Sequence, residues 1–275
     1  MMRSLPARLL LSCLATVLAT TSVEGQLRPL DPIDMATLDR EGGTFAIGVG
    51  AFGGQRVSLA GVEGRLLEIG TFEATWSYER IAVRIGGTSF RWFEGQSVYI
   101  APVDDTRPPD GSARTDAGDL RLQTILRLTP AEGRVTGGLR FGVRLPTTDN
   151  LEGLGRDQTD FFTTLALRIV DGPWDITIEG GGGINGTRDP KHEQIDPILF
   201  AGAARLEAGL IDPILELTGQ HDPRSSEDRR GNENIGEARL GVSMGDAQQL
   251  TLAGVRGWTS VAPDYGLIVR FSTRF

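Results

Sequence analysis

Cysteine is nearly absent from the chain. The single one, Cys13, lies within an N-terminal apolar stretch, Leu9 to Ala19, that follows Arg3 and Arg8 and leads into Thr20, Thr21 and Ser22. A positive start, an apolar core and a polar exit make a secretory signal peptide over residues 1–25, with cleavage after Gly25 and Val23 three positions back. Leu10-Leu-Ser-Cys13 faintly resembles a lipoprotein acylation box, but such boxes end the apolar region and here it continues. Removing the leader removes the thiol, so disulfides and thiolate metal sites are excluded.

Long apolar runs are the second absence. Beyond the leader no stretch reaches the roughly 18 residues that a membrane-spanning helix needs. Histidine is scarce as well: His192 and His221 are the only two. Neither has a Ser or Asp beside it on the same strand face, so no nucleophile and base can be assembled and no catalytic residue is expected. Gly180 to Gly183 is followed by neither Lys-Ser nor Lys-Thr and opens no helix, so it is no phosphate loop and no cofactor is expected. A strand with a bulge or a close-packed neighbour suits it better. Basic residues are outnumbered, 28 Lys and Arg against 36 Asp and Glu for a net charge of -8. Without clustered cations, no nucleic-acid partner is expected. Asp149, Glu152, Asp157 and Asp160 could bracket a divalent cation, but acidic loops are usually only solvated, and no metal site is expected.

Glycine, by contrast, is abundant, with 37 residues, while aromatics make up 7%. That balance favours strands and turns over helices. From Phe45 onward, polar and apolar residues alternate over segments of about ten residues, the length that crosses a membrane as a tilted strand. Asp119 to Leu128 sets Leu120, Leu122, Leu126 and Leu128 on one face, against Asp119, Arg121, Gln123 and Arg127 on the other. Val135 to Leu145 repeats the pattern with Arg140 and Arg144 on the polar face, and Asp160 to Ile169 with Asp160, Thr164 and Arg168. Trp174 to Glu179 follows. Weaker alternation predicts strands at Thr44 to Phe52, Leu66 to Ser77, Arg80 to Trp92, Ile198 to Ala208, Ile211 to Gln220, Ile235 to Met244, Leu250 to Trp258 and Tyr265 to Phe275. The total is about twelve, joined alternately by short turns and longer polar loops, as in membrane barrels. Gly53 to Gly64 and Phe93 to Gly118 are read as two of those loops.

The predicted fold is therefore all-β, a transmembrane antiparallel up-and-down barrel over residues 42–275, with residues 26–41 as a periplasmic or lumenal segment. Aromatics fall at both strand ends, as two interfacial girdles would require. Phe45, Trp76, Tyr78, Trp174 and Phe275 mark the short-turn rim. Phe52, Trp92, Phe93, Phe161, Phe200, Trp258 and Tyr265 mark the other. The last strand places Tyr265, Leu267, Val269, Phe271 and Phe275 on one face and stops on an aromatic. That ending resembles the signal read by the barrel-assembly machinery, so this machinery and outer-membrane lipid of a Gram-negative bacterium are the expected partners.

Gly142-Val-Arg-Leu-Pro-Thr-Thr148, then Gly153-Leu-Gly155 and Asp160, with Gly118-Asp-Leu-Arg121 upstream, resembles a strand-to-loop motif of the outer-membrane transporters named after the meta-cleavage pathway of phenol degradation. Leu66 to Arg84 is similar to an early hairpin of that family, and Thr148 departs from it where Gly would follow Pro-Thr. The resemblance implies a barrel that passes small organic molecules.

Inward residues then define the candidate site. Arg121, Arg127, Arg140, Arg144 and Arg168 make one wall basic, and Asp175, Glu179, Glu207 and Glu216 make the next acidic. Arg121 and Arg140 are expected close together across a hairpin, where like charges need a nearby anion. In one reading these groups line a narrow channel for small-molecule solutes, aromatic or anionic ones included, with Arg121, Arg140 and Arg144 facing the anion at a constriction. In the other they fill the lumen of a structural or surface-interaction barrel. A soluble periplasmic β protein is a third possibility.

Overall fold

A computed structural model describes residues 29–38, 43–59, 62–98, 113–130, 132–147, 154, 158–185, 196–223, 234–259 and 262–275. The proposed signal peptide, His192, Asp149, Glu152 and Asp157 lie outside them. The strands are β1 Gly43–Leu59, β2 Val62–Tyr78, β3 Ile81–Val98, β4 Ala113–Asp116, β5 Leu120–Arg127, β6 Val135–Leu145 and β7 Asp160–Asp171. They continue as β8 Trp174–Asn185, β9 Ile198–Leu206, β10 Ile211–His221, β11 Ile235–Met244, β12 Gln248–Gly257 and β13 Tyr265–Arg274.

Successive strands pair antiparallel, and β1 pairs with β13 from Ala46↔Arg274 to Gln55↔Tyr265, which closes the sheet into a barrel. β4 and β5 lie end to end along one edge of β3, so the closed ring has twelve staves. Closure removes every unpaired edge within the ring, the condition for a sheet to stand in lipid. Among the described residues no helix is long and apolar enough to cross a membrane.

Alternation fixes which side faces what. In β7, Phe161, Leu165, Leu167 and Ile169 are exposed, whereas Asp160, Phe162, Thr164, Ala166 and Arg168 are buried. The same holds around the ring, with Ile178, Leu215, Leu217, Leu240, Leu267 and Val269 outward and Arg140, Glu179, Thr218, Glu237 and Arg239 inward. A contiguous apolar belt has no place in water. With the charges inside, this is a transmembrane barrel. The Gly180–Gly183 run belongs to β8, where a Cβ on Gly181 would lie 2.0 Å from the Thr163 carbonyl oxygen. It is a close backbone approach.

Two expectations need correction. β1, β2 and β3 have 17, 17 and 18 residues, so the stretches read as loops from Gly53 and from Phe93 begin as strand. The sequence pattern fails there because register shifts between Gly50 and Ala51 and between Gly54 and Val57 break the period of two. The extension carries cross-strand ion pairs, Arg65 to Glu94 at 3.0 Å and Arg56 to Glu63 at 3.6 Å. Phe52 and Phe93 are not rim aromatics either; both are buried inside. Phe52 has inward parity, and in β3 two residues rather than one separate inward Thr88 from inward Arg91, which turns Phe93 inward as well. Of the remaining aromatics at that end, Phe161, Phe200, Trp258 and Tyr265 are exposed and Trp92 is half-buried, and Phe200 stacks on Trp258. At the short-turn end Phe45 stacks on Phe275 and Trp76 on Tyr78.

Candidate functional site: the barrel lumen

Residues 29–38 pair with no strand and run within the lumen. Leu30 packs with Phe162 of β7 and Leu199 of β9, and Thr218 donates to its carbonyl. Ile33, Met35 and Leu38 cluster with Ala82, Ile125 and Ala166. The wall is shaped to receive them: a Cβ on Gly138 would lie 2.7 Å from Met35 Cε. Ile33 N donates to Glu179 at 3.1 Å, Ser77 donates to the Thr37 carbonyl at 3.1 Å, and Arg127 donates to the Leu38 carbonyl. A short 3-10 turn, Ala36–Leu38, ends the described segment near the short-turn end.

Charged side chains of the wall are mostly paired strand to strand. Arg168 holds Asp175 with two parallel hydrogen bonds of 2.8 Å, and Arg205 contacts Asp212 at 2.5 Å. Arg140 is fully buried against Glu179 at 2.6 Å, and Thr164 donates to the same carboxylate. Arg84 meets Glu73 at 3.3 Å and Arg91 meets Glu68 at 3.2 Å. The basic and acidic walls therefore interlock at the β7–β8 seam, which lessens the transverse field expected from the sequence. The facing of the arginines also differs. Arg121 stands opposite Arg144, and Arg140 opposite Ile125, because the β5–β6 turn is longer than the expected tight hairpin. The like-charge pair exists with a different member, and the required anions are Asp119 and Asp160, both paired with Arg144. Asp160 is thus engaged by an arginine, and no group of potential metal ligands occurs among the described residues.

Of the other expected lumen residues, Glu216 contacts Arg239 at 3.2 Å, and Glu207 lies just past β9 at the short-turn rim, exposed at the cavity mouth. Sequence reading passed over Asp31, Arg239 and Arg270. Asp31 lies between Arg239 at 2.5 Å and Arg270 at 3.1 Å, while Arg140 donates to its carbonyl at 2.9 Å. Alternation in β11 and β13 was enough to find the two arginines; nothing local marks Asp31.

What the segment leaves empty is a cavity of about 540 Å³. Its lining runs from Asp246, Ala247 and Arg274 at the short-turn rim, past Asp31, Arg84 and Arg121, up to Glu68 and Thr88. Above that level the lumen is packed. Phe52, Leu66, Phe93, Val255 and Ile268 converge there on Leu154, whose carbonyl accepts a hydrogen bond from Arg91 at 2.8 Å.

No protein-family profile matches the chain, and no curated protein matches it. Among solved structures it is similar to an outer-membrane channel from Pseudomonas putida F1, over 88% of this chain and 100% of that one, with 13% identity and a TM-score of 0.59. Looser matches are the translocator domain of the autotransporter NalP from Neisseria meningitidis, with 11% identity over 87% and 90% of the chains and a TM-score of 0.37, and a porin, with 10% identity over 85% and 99% and a TM-score of 0.38. At these identities the likeness bears on the fold, and the first of them places this chain among closed β-barrels.

Proposed function

We propose that the protein is an outer-membrane channel that admits small solutes, non-enzymatic, delivered by its signal peptide and inserted by the barrel-assembly machinery through the Tyr265 to Phe275 face. The observation that carries this reading is the charged cavity of about 540 Å³ within the ring. Side chains alone fill a barrel of about eight strands. Twelve staves leave space, and here that space is lined by arginines and carboxylates, where an inert core would be apolar. The resemblance to the phenol meta-pathway transporters agrees with small organic solutes, and the similar Pseudomonas putida protein is an outer-membrane channel.

The structural reading is favoured by one observation, the packed layer above the cavity around Leu154. Liposome swelling with the purified full-length chain separates the two. Channel function predicts swelling whose rate falls with solute size, and vesicles as tight as protein-free ones would overturn it. Planar-bilayer recordings add a second measure. Arg121→Ala, at the cavity lining, should shift the reversal potential toward cations in a salt gradient. Arg140→Ala, paired with Glu179, should instead lower thermal stability.

A further inference from the structure

We propose that Arg239 and Arg270 form a carboxylate-binding site in the lumen, that Asp31 occupies this site in cis, and that the solutes carried through the barrel are monocarboxylates recognised there. The proposal deepens the channel reading and rests on it. Asp31 Oδ1 accepts from Arg239 Nη1 at 2.5 Å and Oδ2 accepts from Arg270 Nη2 at 3.1 Å. One guanidinium serves each oxygen, from two strands separated by β12. Guanidiniums are the groups that recognise a planar carboxylate best, through charge-assisted hydrogen bonds.

Asp31 differs from the wall carboxylates in origin. Glu68, Glu73, Asp175, Glu179 and Asp212 stand on strands and meet arginines one or two strands away. Asp31 arrives on a segment with no sheet pairing. If it left, Arg239 would keep Glu216 and Glu237, at 3.2 and 3.1 Å. Arg270 would keep no carboxylate, since Asp31 is its one ion-pair partner among the described residues. Arg270 and Asp31 are 40% and 36% exposed, and both line the cavity, so a molecule in that space reaches the site directly. A carboxylate tethered to the same chain acts at high effective concentration. Free carboxylates should therefore bind weakly to the wild type and far better once Asp31 loses its charge.

The test uses the full chain in detergent, with benzoate as probe and benzamide as its neutral isostere, followed by calorimetry and by thermal unfolding. Asp31→Asn should lower the half-saturating benzoate concentration at least tenfold relative to wild type, with no response to benzamide. Adding Arg270→Gln should raise it again at least tenfold. Asp31→Ala, read in the same way, serves if the asparagine variant does not give heat-modifiable barrel. Unchanged benzoate affinity in the folded Asp31 variant, or equal binding of benzamide, overturns the proposal. Swelling assays keep the two readings apart. Neutral-solute flux without benzoate binding removes the site and leaves the channel, whereas benzoate binding in vesicles that stay tight supports the site and removes the channel.

Discussion

Thr164 and Leu165 are neighbours in β7, yet they answer to different rules. Leu165 is 62% exposed on the outer face, where any apolar side chain would serve because lipid offers no particular partner. Thr164 is 2% exposed and sits between Arg140 and Glu179, donating to one and accepting from the other. The outer face is specified by hydrophobicity, the inner face by the identity of each partner. A buried ion pair costs desolvation on both sides, so its value depends on geometry and on further hydrogen bonds. Glu179 has these: it serves Arg140, Thr164 and the backbone of Ile33 together.

The outer face has one residue expected to break its rule of generic apolarity. Phe275 is exposed, but its backbone exchanges hydrogen bonds with Phe45 at the β1–β13 seam. If the assembly machinery reads it, Phe275→Ala should cut heat-modifiable barrel in outer-membrane fractions severalfold while export across the inner membrane continues. Normal barrel levels would leave Phe275 as an ordinary girdle residue.

Next comes the inner face. Glu179→Leu leaves the buried Arg140 without its carboxylate and should cost about 3 to 5 kcal/mol, the penalty for breaking a buried pair. Denaturant titration in detergent would measure it, and a loss below about 1 kcal/mol would mean that water reaches Arg140 and that the inner face is as forgiving as the outer. On the lipid side, Leu165→Arg should cost about 2 to 4 kcal/mol for a charge near the bilayer midplane. By simple alternation Thr164→Arg would be harmless, since the inner face is polar. The packed surroundings of Thr164 reverse that expectation, for a second cation would stand beside Arg140. Stability of Thr164→Arg equal to wild type would show the inner face to be merely polar and not partner-specific.

The smallest effect is expected outside both environments, on the β1–β3 extension. Arg56 is 62% exposed in its contact with Glu63, so Arg56→Ala should change stability by no more than about 1 kcal/mol. A larger loss, read from the same titration, would mark the extension as part of the cooperative unit.

Much of the barrel was legible because a strand in lipid must alternate. Tyr265 to Phe275 displays its outward face without ambiguity, and Asp160 to Ile169 does the same. Legibility fell where the period changed. The bulges near Gly50 and Gly54 hid the tall hairpin, and the parity shift between Thr88 and Arg91 sent Phe93 inward. For the lumen, alternation disclosed the inward arginines of β5 to β7 but not their partners. Arg140 and Glu179 lie on strands with β7 between them, so their meeting depends on shear and side-chain reach and not on any spacing in the chain.

The amino-acid sequence by itself determined the class of the molecule, the number of staves and the face that most strands turn to lipid, because a period of two is a local quantity. Only the tertiary structure decided what occupies the lumen. Residues 29–38 have no periodicity to announce a strand or a helix, and their place is set by Arg140, Arg239 and Arg270, which come from three separate strands. Those groups converge on Asp31 only after the ring has closed.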